Sequence, residues 1–297
     1  MRHIQHPGPA QAERTQCVAG MVHTMELDLP AGVPLLAAIT RTLESQHADS
    51  AVLELQGGKF EPFAYVLPAM SETPAHAVYY SQRYQAPAGS TRIRAGRITY
   101  GQREGAPWLH CHAIWTEADG AERCGHVLPD ETVLAEPLRV TATLLRGMRF
   151  EVAPDAETNF SLFQPRALAA ADTRPEIAGN TGEAEAYALQ IRPNEDFCTA
   201  VESLCAQRGI RRAALRGGVG SLIGATFDDG RTVQPIATEL FIEHGMVEPG
   251  PDGRPCATVD VTLVDYTGTT SRGRLRRGAN PVLVTFELVL QPLEYEN

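Results

Sequence analysis

At 297 residues, with 43% hydrophobic and 21% charged residues, the chain suits about two soluble globular domains. No window offers the roughly 20 uninterrupted apolar residues of a membrane helix, and the opening MRHIQHPGPAQAERTQ lacks the apolar run of a secretory signal. A net charge of −10, with Lys59 as the only lysine, opposes the broad phosphate neutralisation that non-specific DNA binding needs.

The six cysteines form no C-x-x-C pair and read as reduced thiols of a cytoplasmic protein. In chain order, residues 1–20 are polar and proline-bearing, an extended arm. A first domain is expected over 21–145. Met25 to Leu29 reads as a short strand, and Pro30-Ala31-Gly32 as a turn. Val33 to Gln46 is a helix, with Leu36, Ile39 and Leu43 on one stripe. Ala51 to Leu55 is a strand that runs into Gln56-Gly57-Gly58, and a segment rich in Pro and Tyr follows from Glu61 to Tyr84. Arg92 to Tyr100 is a further strand. Arg97, with Arg92 and Arg94 read on the same face, is a candidate clamp for a substrate anion.

The stretch WLHCHAIWTEADGAERCGHVL, residues 108–128, carries the strongest chemical signal. In a strand, His110 and His112 point the same way and Cys111 points away. Asp119-Gly120 is a hairpin dipeptide, and folding back there brings His126 beside the pair. Three imidazoles on one face suit Zn²⁺ with an open fourth position, where an activated water would sit. Glu61 and Glu131 are candidates for a general base beside that water. Thr132 to Leu145 closes the first domain as a strand region.

Residues 146–182 read as a connector with Pro154, Pro165 and Pro175, in which NFSLFQP (159–165) is apolar enough to dock. The second domain, 183–297, repeats the first. Tyr187 to Ile191 is a strand, Glu195 to Arg208 a helix stopped by Gly209, and Arg212 to Leu215 a strand entering Gly217-Gly218. Gly57-Gly58 aligns with Gly217-Gly218 at an offset of 160, and Gly120 and Gly125 with Gly268 and Gly273 at 148. At that second offset His110, His112 and His126 become Thr258, Asp260 and Arg274, so one unit keeps the histidines and the other loses them. Asp260 and Arg274 suit an ion pair where a metal would otherwise sit. The arginine-rich SRGRLRRG (271–278) has Leu275 where an AT-hook needs Pro, and it coincides with a strand of the repeat.

The H-x-H strand, ADG turn and Gly-His strand, together with the loop Arg216-Gly217-Gly218-Val219-Gly220-Ser221-Leu222, resemble the PPC (plant-and-prokaryote conserved) domain. The resemblance covers nearly the whole chain as two domains in tandem, though the first copy reads GGKFEPF where the second keeps GGVGSL. It implies metal ligation by His110, His112 and His126, usually of zinc, and assembly as a trimer. The expected fold is α+β: two similar domains, each a mixed or antiparallel sheet with a helix against it.

The expected function is a metal-dependent enzyme or binder of a small anionic, carboxylated metabolite; hydrolysis, hydration and isomerisation all fit. The alternatives are a DNA-associated regulator of the PPC type and an oligomer whose metal only staples the fold. An empty or water-filled coordination position on an accessible pocket would favour the first reading, and a continuous Arg stripe would favour DNA.

Overall fold

The computed structural model describes residues 2–169 and 182–294. The first half runs β1 (Thr15–Leu29), α1 (Leu35–Ser45) and β2 (Ala51–Leu55). Short strands follow: β3 (Lys59–Phe60), β4 (Ala64–Val66), β5 (Pro68–Met70), β6 (Val78–Tyr80) and β7 (Tyr84–Gln85). It continues with β8 (Thr91–Arg103), β9 (Ala106–Thr116), β10 (Glu122–Val127) and β11 (Leu138–Arg146). A hairpin, β12 (Met148–Pro154) and β13 (Ser161–Ala167), precedes the second half. There β14 (Ala184–Ile191), α2 (Phe197–Arg208), β15 (Ala213–Thr226), β16 (Thr232–Pro249), β17 (Pro255–Asp265), β18 (Thr270–Arg274) and β19 (Val282–Pro292) complete the order.

The halves are built alike. In the first, β1 pairs β11, β11 pairs β2, β2 pairs β8, β8 pairs β9 and β9 pairs β10, all antiparallel. In the second, β14 pairs β19, β19 pairs β15, β15 pairs β16, β16 pairs β17 and β17 pairs β18 in the same sense. The register repeats too: His112 faces His126 across β9 and β10, and Asp260 faces Arg274 across β17 and β18. The fold is α+β, two similar domains.

One helix lies against each sheet because its apolar spacing matches the helical period. In α1, Leu35, Ala38, Ile39 and Leu43 are buried against the strands of the first half. In α2, Phe197, Val201, Leu204 and Cys205 do the same in the second. Asp196 caps α2 by accepting the Thr199 N–H at 2.9 Å, and Gly209, at φ +69°, ends it in the left-handed conformation.

The halves form one body. Residues Thr15 to Val22 of β1 pair with Ala184 to Ile191 of β14, joining the two sheets edge to edge. Val52, Leu145 and Phe150 of one half pack with Ala188 and Val289 of the other. Ile114 and Cys124 pack with Val219, Phe241 and Val264. Fully burying each large side chain of this kind is worth about 1.5–3 kcal/mol. Gly217 adopts φ +67°, and a Cβ there would sit 2.7 Å from Val52 Cβ, so the loop needs glycine both for its backbone and for its approach to the other half.

Several expectations need revision. The strand expected from Met25 begins at Thr15, because its first eight residues find their partner in β14, far along the chain. Over 148–167 the expected connector is a regular hairpin, and the rest of it, 170–181, lies outside the described residues. Arg92, Arg94 and Arg97 do not converge: Arg94 and Arg97 are three residues apart, an odd spacing that does not keep a shared face, Arg92 and Arg94 are exposed, and Arg97 is buried. Among the described residues no helix is long and apolar enough to cross a membrane.

Candidate metal centre and its cavity

The β9–β10 hairpin sets the site. Gly120 at φ +87° makes the turn, and Ala121 N–H donates to Asp119 Oδ1 at 2.9 Å. His110 and His112 alternate on one face of β9, and the register puts His126 directly opposite His112. One nitrogen from each ring lies within 4.8 Å of the others. Cys111 points the other way into the core, as the alternation requires.

Hydrogen bonds fix the tautomers. His112 Nδ1–H donates to the Leu240 carbonyl of β16 at 2.9 Å, which leaves Nε2 of the neutral ring with a bare lone pair. His110 Nδ1 bonds the Glu287 carboxylate of β19. A carboxylate behind a ligating imidazole is the usual outer partner of a metal-bound histidine. His110 Nε2 then meets His112 Nε2 at 2.9 Å, two nitrogens that need a proton or a cation between them. His126 Nδ1 is buried with no hydrogen-bond partner among the described residues.

The electrostatics follow from burial and from two acids of the second half. Burial, then the nearby His110, holds His112 and His126 well below the ordinary imidazole value. Burial also works against charge on His110, but Glu287, with Glu239 beyond it, outweighs that and raises it. Glu239 of β16 places Oε1 3.8 Å from His112 Nε2, while its buried Oε2 has no hydrogen-bond partner. Burial pushes its carboxyl up to about 8, against a smaller pull from His110. At neutral pH this acid is mostly protonated, a proton source beside the triad.

The triad forms one end of a cavity of about 460 Å³ lined by both halves. The β5–β6 hairpin, which belongs to the extra middle of the first half, covers it from one side. His76 and Tyr79 meet Phe160 at ring-centroid distances of 4.7 and 5.8 Å, and Tyr80 meets His126 edge-on at 5.1 Å. Trp108, Leu162 and Phe163 continue the apolar wall. The NFSLFQP segment therefore docks here, as part of the β12–β13 hairpin that lines the cavity.

The other candidates lie elsewhere. Glu131 pairs with Arg83 at 2.5 Å on the exposed surface, and Glu61 accepts the Gly89 N–H at 3.2 Å; neither lines the cavity. Arg97 donates to the Gly96 and Glu243 carbonyls at 3.0 and 2.7 Å and sits 3.4 Å from Glu54, a tie between the halves. Asp260 and Arg274 form a two-pronged ion pair, both contacts 3.0 Å, in the position corresponding to His112 and His126. Arg272 and Arg277 of the arginine-rich segment are held by Glu122 and Glu202 at 2.9 and 2.5 Å. Sequence reasoning missed Glu239 and Glu287, which reach the histidines only across the packed halves. No local pattern marks them.

The Plants and Prokaryotes Conserved (PCC, also PPC) domain family matches residues 179–294. No curated protein matches the chain. Among solved structures it is similar to a plant- and prokaryote-conserved protein of Pyrococcus horikoshii, at 17% identity and TM-score 0.40, over 51% of this chain and 97% of that one. A metal-containing protein of Archaeoglobus fulgidus is similar at 19% and 0.38, over 48% and 93%. A candidate DNA-binding protein of Ralstonia eutropha JMP134 is similar at 15% and 0.35, over 47% and 89%. The family match thus falls on the second half of the chain, residues 179–294, and the first half repeats that half's strand order and carries the histidines.

Proposed function

We propose that His110, His112 and His126 hold one divalent metal ion, zinc by the chemistry of an all-imidazole donor set, and that the cavity binds a small carboxylated molecule beside it. The observation that carries this is the pair of facing Nε2 atoms at 2.9 Å, each ring held from behind through Nδ1. Such nitrogens suit a cation, and a shared proton serves in the metal-free protein. When bound, a metal of this kind supplies Lewis acidity. Glu287 and the Leu240 carbonyl orient the rings, and Glu239 holds a proton within reach of His112. The β5–β6 hairpin and Phe160 limit water at that end. Hydrolysis, hydration or isomerisation of a carboxylated metabolite fits these parts. The 460 Å³ cavity supports a working site over a metal that only staples the fold.

The test is metal analysis of the purified chain, followed by a thermal-shift screen of carboxylated metabolites. Ligand that binds the folded state raises apparent stability by mass action. A DNA role is the competing reading. It would require affinity for duplex DNA that falls steeply with salt. Arg272, Arg274 and Arg277, each occupied by an acid, speak against it. Assembly as a trimer belongs to the same proposal, and light scattering tests it.

A further inference from the structure

The far end of the cavity carries a different chemistry from the triad. Arg103, the last residue of β8, is brought there by a two-residue turn, Glu104-Gly105, with φ of +54° and +78°. Its guanidinium lies 5.1 Å from the centroid of the Trp108 ring. Among the described residues lining the cavity it is the only Arg or Lys. The acids it shares the cavity with are Glu239 and Glu287, at the triad end. Arg97, Arg149 and Arg192 have acid partners at 3.4, 2.9 and 2.6 Å, whereas Arg103 has no ion pair or hydrogen bond among the described residues.

We infer that Arg103 is an anion-reading residue, and that the cavity takes a flat, ring-bearing carboxylate with its acid at Arg103 and its other end at the histidines. An exposed guanidinium resting on an indole keeps its hydrogen-bond fork free for a carboxylate. Trp108 and His110 alternate on one face of β9, so their backbones are about 6.6 Å apart, and Ala106 opposite Arg103 is about 6.6 Å further. The Arg103 side chain leans back over Trp108 and shortens that span to roughly the length of an aryl-alkyl acid. Between the ends stand Trp108, Tyr79, Phe160 and Phe163, a wall suited to a ring. The polarity is set by Arg103, the only Arg or Lys among the described residues that line the cavity and one whose fork is free. The inference rests on the metal reading only for what meets the ligand's inner end.

The test uses the full metal-loaded chain and two probes, 3-phenylpropionate and its uncharged amide, with affinities from titration calorimetry and metal content measured in parallel. The acid should bind at least about tenfold more tightly than the amide. Arg103→Gln should abolish that preference, weakening the acid about tenfold while leaving the amide within about twofold and the metal content unchanged. Arg103→Lys should recover part of it. Equal binding of the two probes, binding of neither, or a preference that survives in Arg103→Gln overturns the inference. An Arg103-dependent preference in a protein without metal would sink the metal reading and leave this one standing. Stoichiometric metal with a preference indifferent to Arg103 would do the reverse.

Discussion

Arg97 separates an anion clamp from a structural tie, and Arg97→Met tests the difference. Arg97 is 5% exposed, and its guanidinium donates to the Gly96 and Glu243 carbonyls at 3.0 and 2.7 Å and lies 3.4 Å from Glu54. Methionine keeps most of the apolar stem and removes the charge. Each hydrogen bond from a charged donor is worth about 1.5–3 kcal/mol. Relief from holding a buried cation, whose charge burial already disfavours, offsets part of the loss. The net cost is therefore about 2–4 kcal/mol rather than the sum. At the roughly 2–4 °C per kcal/mol typical of large domains, Tm should fall by about 4–16 °C. Scanning calorimetry reads this, with metal content and 3-phenylpropionate affinity as controls expected to stay at the wild-type level. An unchanged Tm with lost ligand affinity would refute the reasoning and return Arg97 to the binding site.

Gly217→Ala should lower the urea midpoint by an amount equivalent to about 1–3 kcal/mol, because its φ of +67° and the 2.7 Å approach to Val52 both reject a Cβ. Asp260→Ala should leave metal content untouched and Tm within about 2 °C, since its partner Arg274 lies in an exposed pair. His6 is buried and bonded to the Leu283 carbonyl at 2.7 Å; burial holds its imidazole below the ordinary 6.5, although Leu283, Glu157 and Asp155 pull upward and Arg14 downward. The unfolded chain therefore binds the proton more readily, so this part of stability is present above pH 6.5 and is lost as pH falls through the lower folded value. His6→Gln should flatten that part of the acid limb when urea midpoints near pH 5 and pH 7.5 are compared.

The histidine face was legible because strand alternation and an Asp-Gly turn are local properties, and the register His112 to His126 follows from them. The repeat was legible for a similar reason: glycines at turns keep their spacing when the rest of the sequence diverges. Asp196 and Gly209 mark the ends of α2 in the same way. What escaped depends on contacts far apart in sequence. Thr15 to Val22 form a strand because Ala184 to Ile191 offer them an edge. Glu239 and Glu287 reach the histidines only once the halves are packed, whereas Glu61 and Glu131 belong to the histidines' own half and point elsewhere. The Arg92, Arg94 and Arg97 alignment failed on its own spacing: three residues separate Arg94 from Arg97, and strand alternation keeps a face only over even steps.

Metal content of the purified chain, by inductively coupled plasma mass spectrometry, tests the central claim most directly. The wild type should carry one zinc per chain, because the second half offers Thr258, Asp260 and Arg274 in place of three imidazoles. His110→Ala, His112→Ala and His126→Ala should each fall to about a tenth of that or less, with Asp260→Ala unchanged as the folded control. Two metal ions per chain, or undiminished metal in His112→Ala, would contradict the account.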